Sequence, residues 1–79
     1  MPEYDFCGLK CPLPLLKTKQ LLHRLAVGET VVVLADDPGS AQDIPAYIKQ
    51  SEHQLVEYKE QQGVWLFCLR RGENNEQRS

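Results

Sequence analysis

Apolar positions follow a helical spacing in two stretches of this chain and run together in strand-like stretches between them. From residue 12 to 26 they recur at spacings of three and four, which predicts an amphipathic helix. Its buried face is expected to hold Leu15, Thr18, Leu21, Leu22 and Leu25, and its polar side Lys17, Gln20, His23 and Arg24. Gly28 is a natural stop for this helix.

Strand signals surround that helix. Residues 30–35 are β-branched and continuously apolar, which predicts a central strand buried on both faces. A short aromatic strand is expected at 4–7, and two further strands at 53–61 and 64–70. Gln62 and Gly63 lie between the last two and predict a hairpin turn.

The start of a second helix is ambiguous in the sequence. Asp36-Asp37-Pro38-Gly39 is typical of a turn. Ser40 and Asp43 resemble a capping box, but a helix beginning there would hold Pro45 inside it. An N-cap at Asp43 puts Pro45 in the first turn instead, and we favour that start. Ile44, Tyr47 and Ile48 would form the buried face.

These elements in the order βαβαββ predict an α/β fold, specifically a two-layer sandwich. Two helices would cover one face of a four-stranded mixed sheet, with parallel strands around each helix and a final antiparallel hairpin. We expect a single domain over residues 1–71. Residues 72–79 have nothing to bury and are expected to be a disordered tail.

Composition and charge narrow the functional class. The chain has 79 residues, of which 42% are hydrophobic, with no apolar run long enough to span a membrane and no signal-peptide pattern. Three cysteines are too few for a disulfide scaffold, so we expect a cytoplasmic, monomeric protein. The net charge of −2 does not favour direct nucleic-acid binding. Residues 1–24 nevertheless carry four basic and two acidic side chains, the basic ones being Lys10, Lys17, Lys19 and Arg24.

Cys11 is the main candidate for chemistry. It lies in the run Gly8-Leu9-Lys10-Cys11-Pro12-Leu13-Pro14, at the start of the first predicted helix. The helix dipole and Lys10 would lower its pKa, whereas the two prolines remove N–H donors. We therefore expect an accessible, stiffly held and moderately activated thiol. The alternative is a cysteine that fills a small apolar gap.

The other candidate groups favour structural roles. Cys7 is compatible with a redox pair or half a metal site, but we favour a packed thiol, and Cys68 is expected in the core. His23 and His53 have no partner in the sequence and are typical of surface or helix-end histidines. No metal or cofactor is expected.

At this point the chain resembles the TusA/SirA-like sulfur carrier family, which includes the YedF-type proteins. The resemblance covers residues 4–71 and is carried by three stretches. They are Asp5-x-x-Gly8-Leu9-Lys10-Cys11-Pro12-Leu13-Pro14 with its Cys-Pro-x-Pro motif, Gly28-Glu29 before the apolar strand, and Ala35-Asp36-Asp37-Pro38 followed by Asp43-Ile44-Pro45. Leu13 stands where tRNA-thiolating members often carry Glu, and Cys7 is not required by the motif.

The resemblance implies a persulfide relay. Cys11 would accept sulfur from a cysteine desulfurase or another persulfide donor and pass it to an acceptor protein, in the best-known members for tRNA thiolation. Such a protein is a sulfurtransferase-like carrier rather than a stand-alone enzyme. Supporting roles fall to Asp5, Gly8, Lys10, Pro12 and Pro14, and partner contacts to Lys17, Lys19, Arg24, Asp36 and Asp37. Asp36, Asp37 and Asp43 are expected to be caps before they are partner contacts.

Two rival functions remain open from the sequence. One is a regulatory module that binds protein or RNA through its basic helix without any sulfur chemistry. The other is a thiol–disulfide redox protein that uses Cys7 together with Cys11.

Overall fold

The helical spacing and the apolar runs become two helices and four strands. The computed structural model describes residues 2–72, with the elements β1 (Glu3–Asp5), α1 (Leu13–Arg24), β2 (Thr30–Ala35), α2 (Pro38–Lys49), β3 (Gln54–Gln61) and β4 (Val64–Arg70). The predicted order βαβαββ is confirmed. Both β2 and β4 have the predicted bounds, while β1 ends two residues early and α1 is trimmed at both ends.

The strands form one mixed sheet in the order β1-β2-β4-β3. The pair β1–β2 is parallel, with Tyr4 opposite Val33, because α1 carries the chain back across the sheet between them. The strand β4 is antiparallel to both neighbours, and its Phe67 lies opposite Val33 on one side and Tyr58 on the other. Gln62 and Gly63 have positive φ angles of 52° and 82°, as a tight hairpin turn between twisted strands requires.

The core lies between the helices and one face of the sheet. Its sheet side is built by Val31, Val33 and Ala35 of β2 with Phe67 and Leu69 of β4, and its helix side by Leu21, Leu22, Ile44 and Ile48. Along β2 the other three side chains are partly exposed, so the expectation of burial on both faces was wrong. A two-layer fold has helices on only one face, so the second face of a central strand keeps some contact with solvent.

The second helix begins earlier than the sequence suggested. Asp37, not Asp43, is the N-cap, and its side chain accepts a hydrogen bond from the Ser40 N–H at 3.0 Å. Pro45 therefore lies inside α2, where its ring nitrogen cannot donate to the helix ladder. Burial of Ser40, Ile44 and Ile48 on one face, together with a cap worth about 1 kcal/mol, offsets that cost.

The end of the described chain packs more closely than expected. Gly72, which we assigned to the tail, donates its N–H to His53 Nδ1 at 3.0 Å. His53 is 6% exposed, so the prediction of a surface histidine was wrong for it. His23 lies exposed in the last turn of α1, as predicted. The remainder of the predicted tail, residues 73–79, lies outside the described residues.

Candidate functional site

The loop between β1 and α1 carries Cys11 at the edge of the sheet where β1 and β2 both end. Parallel strands bring their carboxyl ends to one edge, and the Phe6 N–H extends the pairing by donating to the Leu34 carbonyl at 2.9 Å. The segment that joins β2 to α2 therefore lies beside this loop. Its aspartates, Asp36 and Asp37, both hydrogen-bond to the loop.

Carboxylates shape the first half of the loop through backbone hydrogen bonds. Asp5 Oδ1 accepts from the Cys7 N–H at 2.9 Å, and this bond lowers the pKa of the Asp5 carboxyl. Asp36 Oδ1 accepts from the Gly8 N–H at 2.9 Å. Gly8 has a φ of 93°, a backbone conformation that a residue with a Cβ rarely adopts. These contacts support the shaping role predicted for Asp5 and Gly8.

Two prolines hold the second half of the loop. Pro14 is fully buried in the first turn of α1 and so anchors the segment to the core. Pro12 is exposed, stands directly before the helix, and joins Cys11 through a cis peptide bond. No side chain of residues 2–72 caps α1 by a hydrogen bond. Cys11 thus lies two residues before the helix rather than in its first turn.

The surroundings of Cys11 come from the start of α2. The Cys11 N–H donates to Asp37 Oδ2 at 3.2 Å, the same oxygen that caps α2. The Cys11 thiol donates to Asp43 Oδ2, with 3.2 Å between Sγ and the oxygen. Gly39 leaves room for this contact, because a Cβ placed there would lie 3.2 Å from the Cys11 Cβ and 3.5 Å from Sγ.

The early start of α2 explains why these groups converge. Gly39 and Asp43 are four residues apart, so in a helix beginning at Pro38 they lie on the same face, one turn above the other. That face is directed at the Cys11 loop, while Ser40, Ile44 and Ile48 face the core. The sequence analysis missed Gly39 altogether and took Asp43 for a cap, because it began α2 about one turn too late.

The acid–base state of Cys11 differs from the expectation. The hydrogen bond to Asp43 raises the pKa of the Cys11 thiol, and partial desolvation and the negative charges of Asp43 and Asp37 act in the same direction. The predicted lowering of the pKa by Lys10 and the helix dipole was therefore wrong. The carboxylates lie closer to the sulfur than any cationic group that the sequence placed near it, and Cys11 rests as an exposed, protonated thiol.

The predicted basic residues lie mostly on the outer side of α1. Lys17 and Arg24 are exposed and seven residues apart, and hence on the same face of the helix. Lys10 is exposed in the Cys11 loop. Lys19 is only partly exposed, since its ammonium lies 5.0 Å from the centre of the Tyr47 ring in a cation–π contact between the two helices.

The other two cysteines differ from Cys11. Cys68 is buried at 5% exposure within β4, as predicted. Cys7 is partly exposed rather than mostly buried. Desolvation raises the pKa of the Cys7 thiol to about 11, and the hydrogen bond and negative charge of Asp5 and the charge of Asp36 add to this effect. Cys7 is therefore a weak nucleophile at neutral pH.

Other features of the described chain lie away from Cys11. In residues 2–72, no group of three or more His, Cys, Asp and Glu side chains has an arrangement suited to a metal ion. No helix of this part of the chain is long and apolar enough to span a membrane. A shallow groove of about 430 Å³ lies at the opposite end of the sheet, lined by Val27, Gly28, Glu52, Gln54, Arg70, Arg71 and Gly72. It contains none of the predicted site residues.

Comparison with known proteins places this site in a family. The sequence profile described as sulfurtransferase TusA matches residues 3–71. The chain belongs to the TusA family. It is 41% identical to the sulfur carrier protein TusA of Allochromatium vinosum over 69 residues, which are 87% of this chain and 91% of that protein. The resemblance drawn from the sequence is confirmed, and a sulfur carrier role with it.

A solved structure supports the same assignment. The crystal structure of a SirA-like protein from Desulfitobacterium hafniense superposes with a TM-score of 0.79 at 32% identity. The match covers 92% of this chain and all of the other. The predicted α/β fold, with two helices and a four-stranded mixed sheet, is thus shared with another TusA/SirA-like protein.

Proposed function

We propose that the protein carries sulfane sulfur as a persulfide on Cys11. The observation that carries this proposal is the state of that thiol: exposed, held by a stiff loop, and hydrogen-bonded to the carboxylate of Asp43. A thiol filling an apolar gap would be covered, as Cys68 is. The family assignment gives the chemistry that such an accessible thiol performs.

The proposed reaction is an exchange of one sulfur atom between thiols. Cys11 attacks the outer sulfur of a donor persulfide, R–S–SH, and the S–S bond of the donor breaks. The products are the Cys11 persulfide and the donor thiol, R–SH, so no external oxidant or reductant is needed. Onward transfer is the same reaction, with an acceptor thiol attacking the outer sulfur on Cys11. Free thiols are required throughout, which places the exchange in the reducing cytoplasm.

The partners we propose are a cysteine desulfurase or another persulfide-bearing donor protein, and an acceptor protein. Both have to approach Cys11 past the outer side of α1. There Leu13 and Leu16 are about half exposed, at 46% and 45%. Lys17 and Arg24 continue this surface away from the cysteine. An acidic partner surface with apolar side chains near its own reactive cysteine would complement it.

Loading with sulfur tests this function directly. Wild-type protein incubated with a cysteine desulfurase and cysteine should gain the mass of one sulfur atom, and dithiothreitol should remove it. Cys11→Ser should gain none, because serine cannot form a persulfide. The variant replaces one atom at an exposed position, so an unchanged thermal unfolding curve serves as the control for folding.

Two results would contradict the proposal. Equal loading of Cys11→Ser would move the sulfur to Cys7 or Cys68. Absence of loading in the wild type with several donors, combined with binding of protein or RNA that Cys11→Ser leaves intact, would favour the regulatory alternative.

A further inference from the structure

The thiol of Cys11 and the carboxylate of Asp43 meet across two elements that are far apart in the chain. Cys11 Sγ lies 3.2 Å from Asp43 Oδ2, although 32 residues separate them in sequence. A carboxylate at this distance from a nucleophilic atom has the geometry of a general base. Asp43 is partly exposed on α2, so its carboxylate can also reach a partner that docks over the cysteine.

We propose that Asp43 is the proton acceptor for Cys11 in sulfur transfer, a role that rests on the proposed function. Asp43 takes the thiol proton as Cys11 Sγ attacks the outer sulfur of the donor persulfide. The electron pair of the donor S–S bond leaves with the inner sulfur as a thiolate. Asp43 then returns the proton to that departing thiolate, so that atoms, electrons and protons all balance.

Onward transfer uses the same carboxylate in the reverse sense. The acceptor thiol gives its proton to Asp43 and attacks the outer sulfur of the Cys11 persulfide. The Cys11 sulfur leaves as a thiolate and regains a proton from Asp43. One carboxylate beside one sulfur is therefore sufficient for both halves of the relay.

The neighbouring carboxylates are already engaged with the backbone. Asp37 Oδ2 accepts from the Cys11 N–H and from both the N–H and the hydroxyl of Ser40. Asp5 and Asp36 accept from the N–H groups of Cys7 and Gly8. Within residues 2–72, Asp43 is the carboxylate whose hydrogen bond goes to the thiol itself.

The resting state of the thiol is consistent with a need for a base. The same contact raises the pKa of Cys11, so at neutral pH the sulfur holds its proton and little thiolate is present in advance. The charged groups around Cys11 are Asp37 and Asp43 from the α2 side and Lys10 from its own loop. Attack at neutral pH therefore depends on a nearby group that removes the proton during the reaction.

The variant Asp43→Asn separates a proton acceptor from a simple electrostatic effect. Removing the negative charge lowers the pKa of Cys11, so alkylation by iodoacetamide, which reacts with thiolate, should become faster at pH 7. Sulfur acceptance from glutathione persulfide should nevertheless become slower, by about tenfold or more. The small persulfide is used because its reaction does not require protein docking. Opposite changes in the two rates are the expected result.

A pH profile and a conservative variant complete the test. The deficit of Asp43→Asn should narrow as the pH rises past about 8.5, where thiolate forms without a base. Asp43→Glu, which keeps a carboxylate, should recover most of the rate. Glu57→Gln removes an exposed carboxylate on β3 and should leave both rates unchanged.

The outcomes distinguish this inference from the proposed function. If Asp43→Asn accepts sulfur as fast as the wild type, or faster in step with its alkylation, Asp43 is not the proton acceptor, while Cys11 still carries sulfur. If Cys11 takes no sulfur in any variant, the proposed function itself fails. Equal rates for Asp43→Asn and Asp43→Glu, both slow, would also overturn the role, since they would indicate a requirement for shape rather than for a carboxylate.

Discussion

The two helices begin on either side of the same cysteine, and they begin in different ways. The start of α1 is preceded by Pro12 and contains buried Pro14, with no side-chain cap from the described residues. The start of α2 is capped by Asp37, which also accepts from the Cys11 N–H. Pro38 stands in its first turn, and Gly39 follows under the cysteine.

This difference separates presentation of the sulfur from its chemistry. The start of α1 determines where the sulfur lies, through stiff backbone and one buried proline. The start of α2 determines the protonation state of that sulfur, through the carboxylates of Asp37 and Asp43. A cysteine next to a helix N-terminus in sequence is therefore not governed by that helix alone. Here the second helix outweighs the first, and it raises the pKa instead of lowering it.

Substitution of Gly39 would disturb the chemical side of this arrangement most strongly. In Gly39→Ala the new Cβ would lie 3.1 Å from Asp37 Oδ2 and 3.2 Å from the Cys11 Cβ, so the loop has to shift by a few tenths of an ångström. Gly39→Val requires a larger shift. Since a displacement of about 1 Å at a reacting atom can cost about a hundredfold, we expect roughly tenfold slower sulfur acceptance for Gly39→Val and a smaller loss for Gly39→Ala.

Ala46→Val is the matched control for this series. Ala46 is exposed on the same helix, so valine there brings the same change in helix propensity without approaching Cys11. Loading rates by intact mass and thermal unfolding curves should be compared for all three variants. A loading rate for Gly39→Val equal to that of Ala46→Val would show that the close approach of α2 to Cys11 has no part in the transfer.

The outer side of α1 gives a smaller and salt-dependent effect. If α1 presents the sulfur to an acidic partner, the double substitution Lys17→Glu/Arg24→Glu should slow transfer from a protein donor severalfold at low ionic strength. The deficit should shrink as salt screens the charges. Transfer from glutathione persulfide should be unaffected, since it needs no docking. Unchanged transfer from the protein donor at low salt would exclude this surface as the docking site.

Sequence reasoning succeeded where local signals were consistent with the tertiary structure. The apolar run at β2, the helical spacing of α1 and the turn at Gln62 gave the element order and the fold class. The exposed position of Cys11 followed from its prolines. These features depend on period, turn chemistry and proline geometry, all of which are read from neighbouring residues.

The arrangement around Cys11 could not be obtained in the same way. Pro45 suggested a late start for α2, because a proline inside a helix is unfavourable. Tertiary burial of Ile44 and Ile48 overrode that local preference. The error of about one turn hid the shared face of Gly39 and Asp43. The Asp43 contact to the thiol spans 32 residues, so no local pattern points to it.

Cys7 gives the smallest expected effect and tests whether the comparison needs a second sulfur. Its thiol has a pKa of about 11, so at pH 7 only about one molecule in ten thousand carries a thiolate there. Cys7 is also held through its backbone N–H by Asp5, a contact that alanine retains. We therefore expect Cys7→Ala to load and release sulfur at nearly the wild-type rate, measured by intact mass over time.

The alternative is a two-cysteine relay, in which Cys7 attacks the Cys11 persulfide and forms an internal disulfide. That attack requires a Cys7 thiolate, so it would be fastest toward pH 11 and slow at neutral pH. In wild-type protein loaded at pH 7 the persulfide should therefore persist, and non-reducing peptide mapping should find no bond between residues 7 and 11. If Cys7→Ala instead lost most of its release rate, the start of α1 would contribute chemistry as well as presentation, and the division between the two helices would not hold.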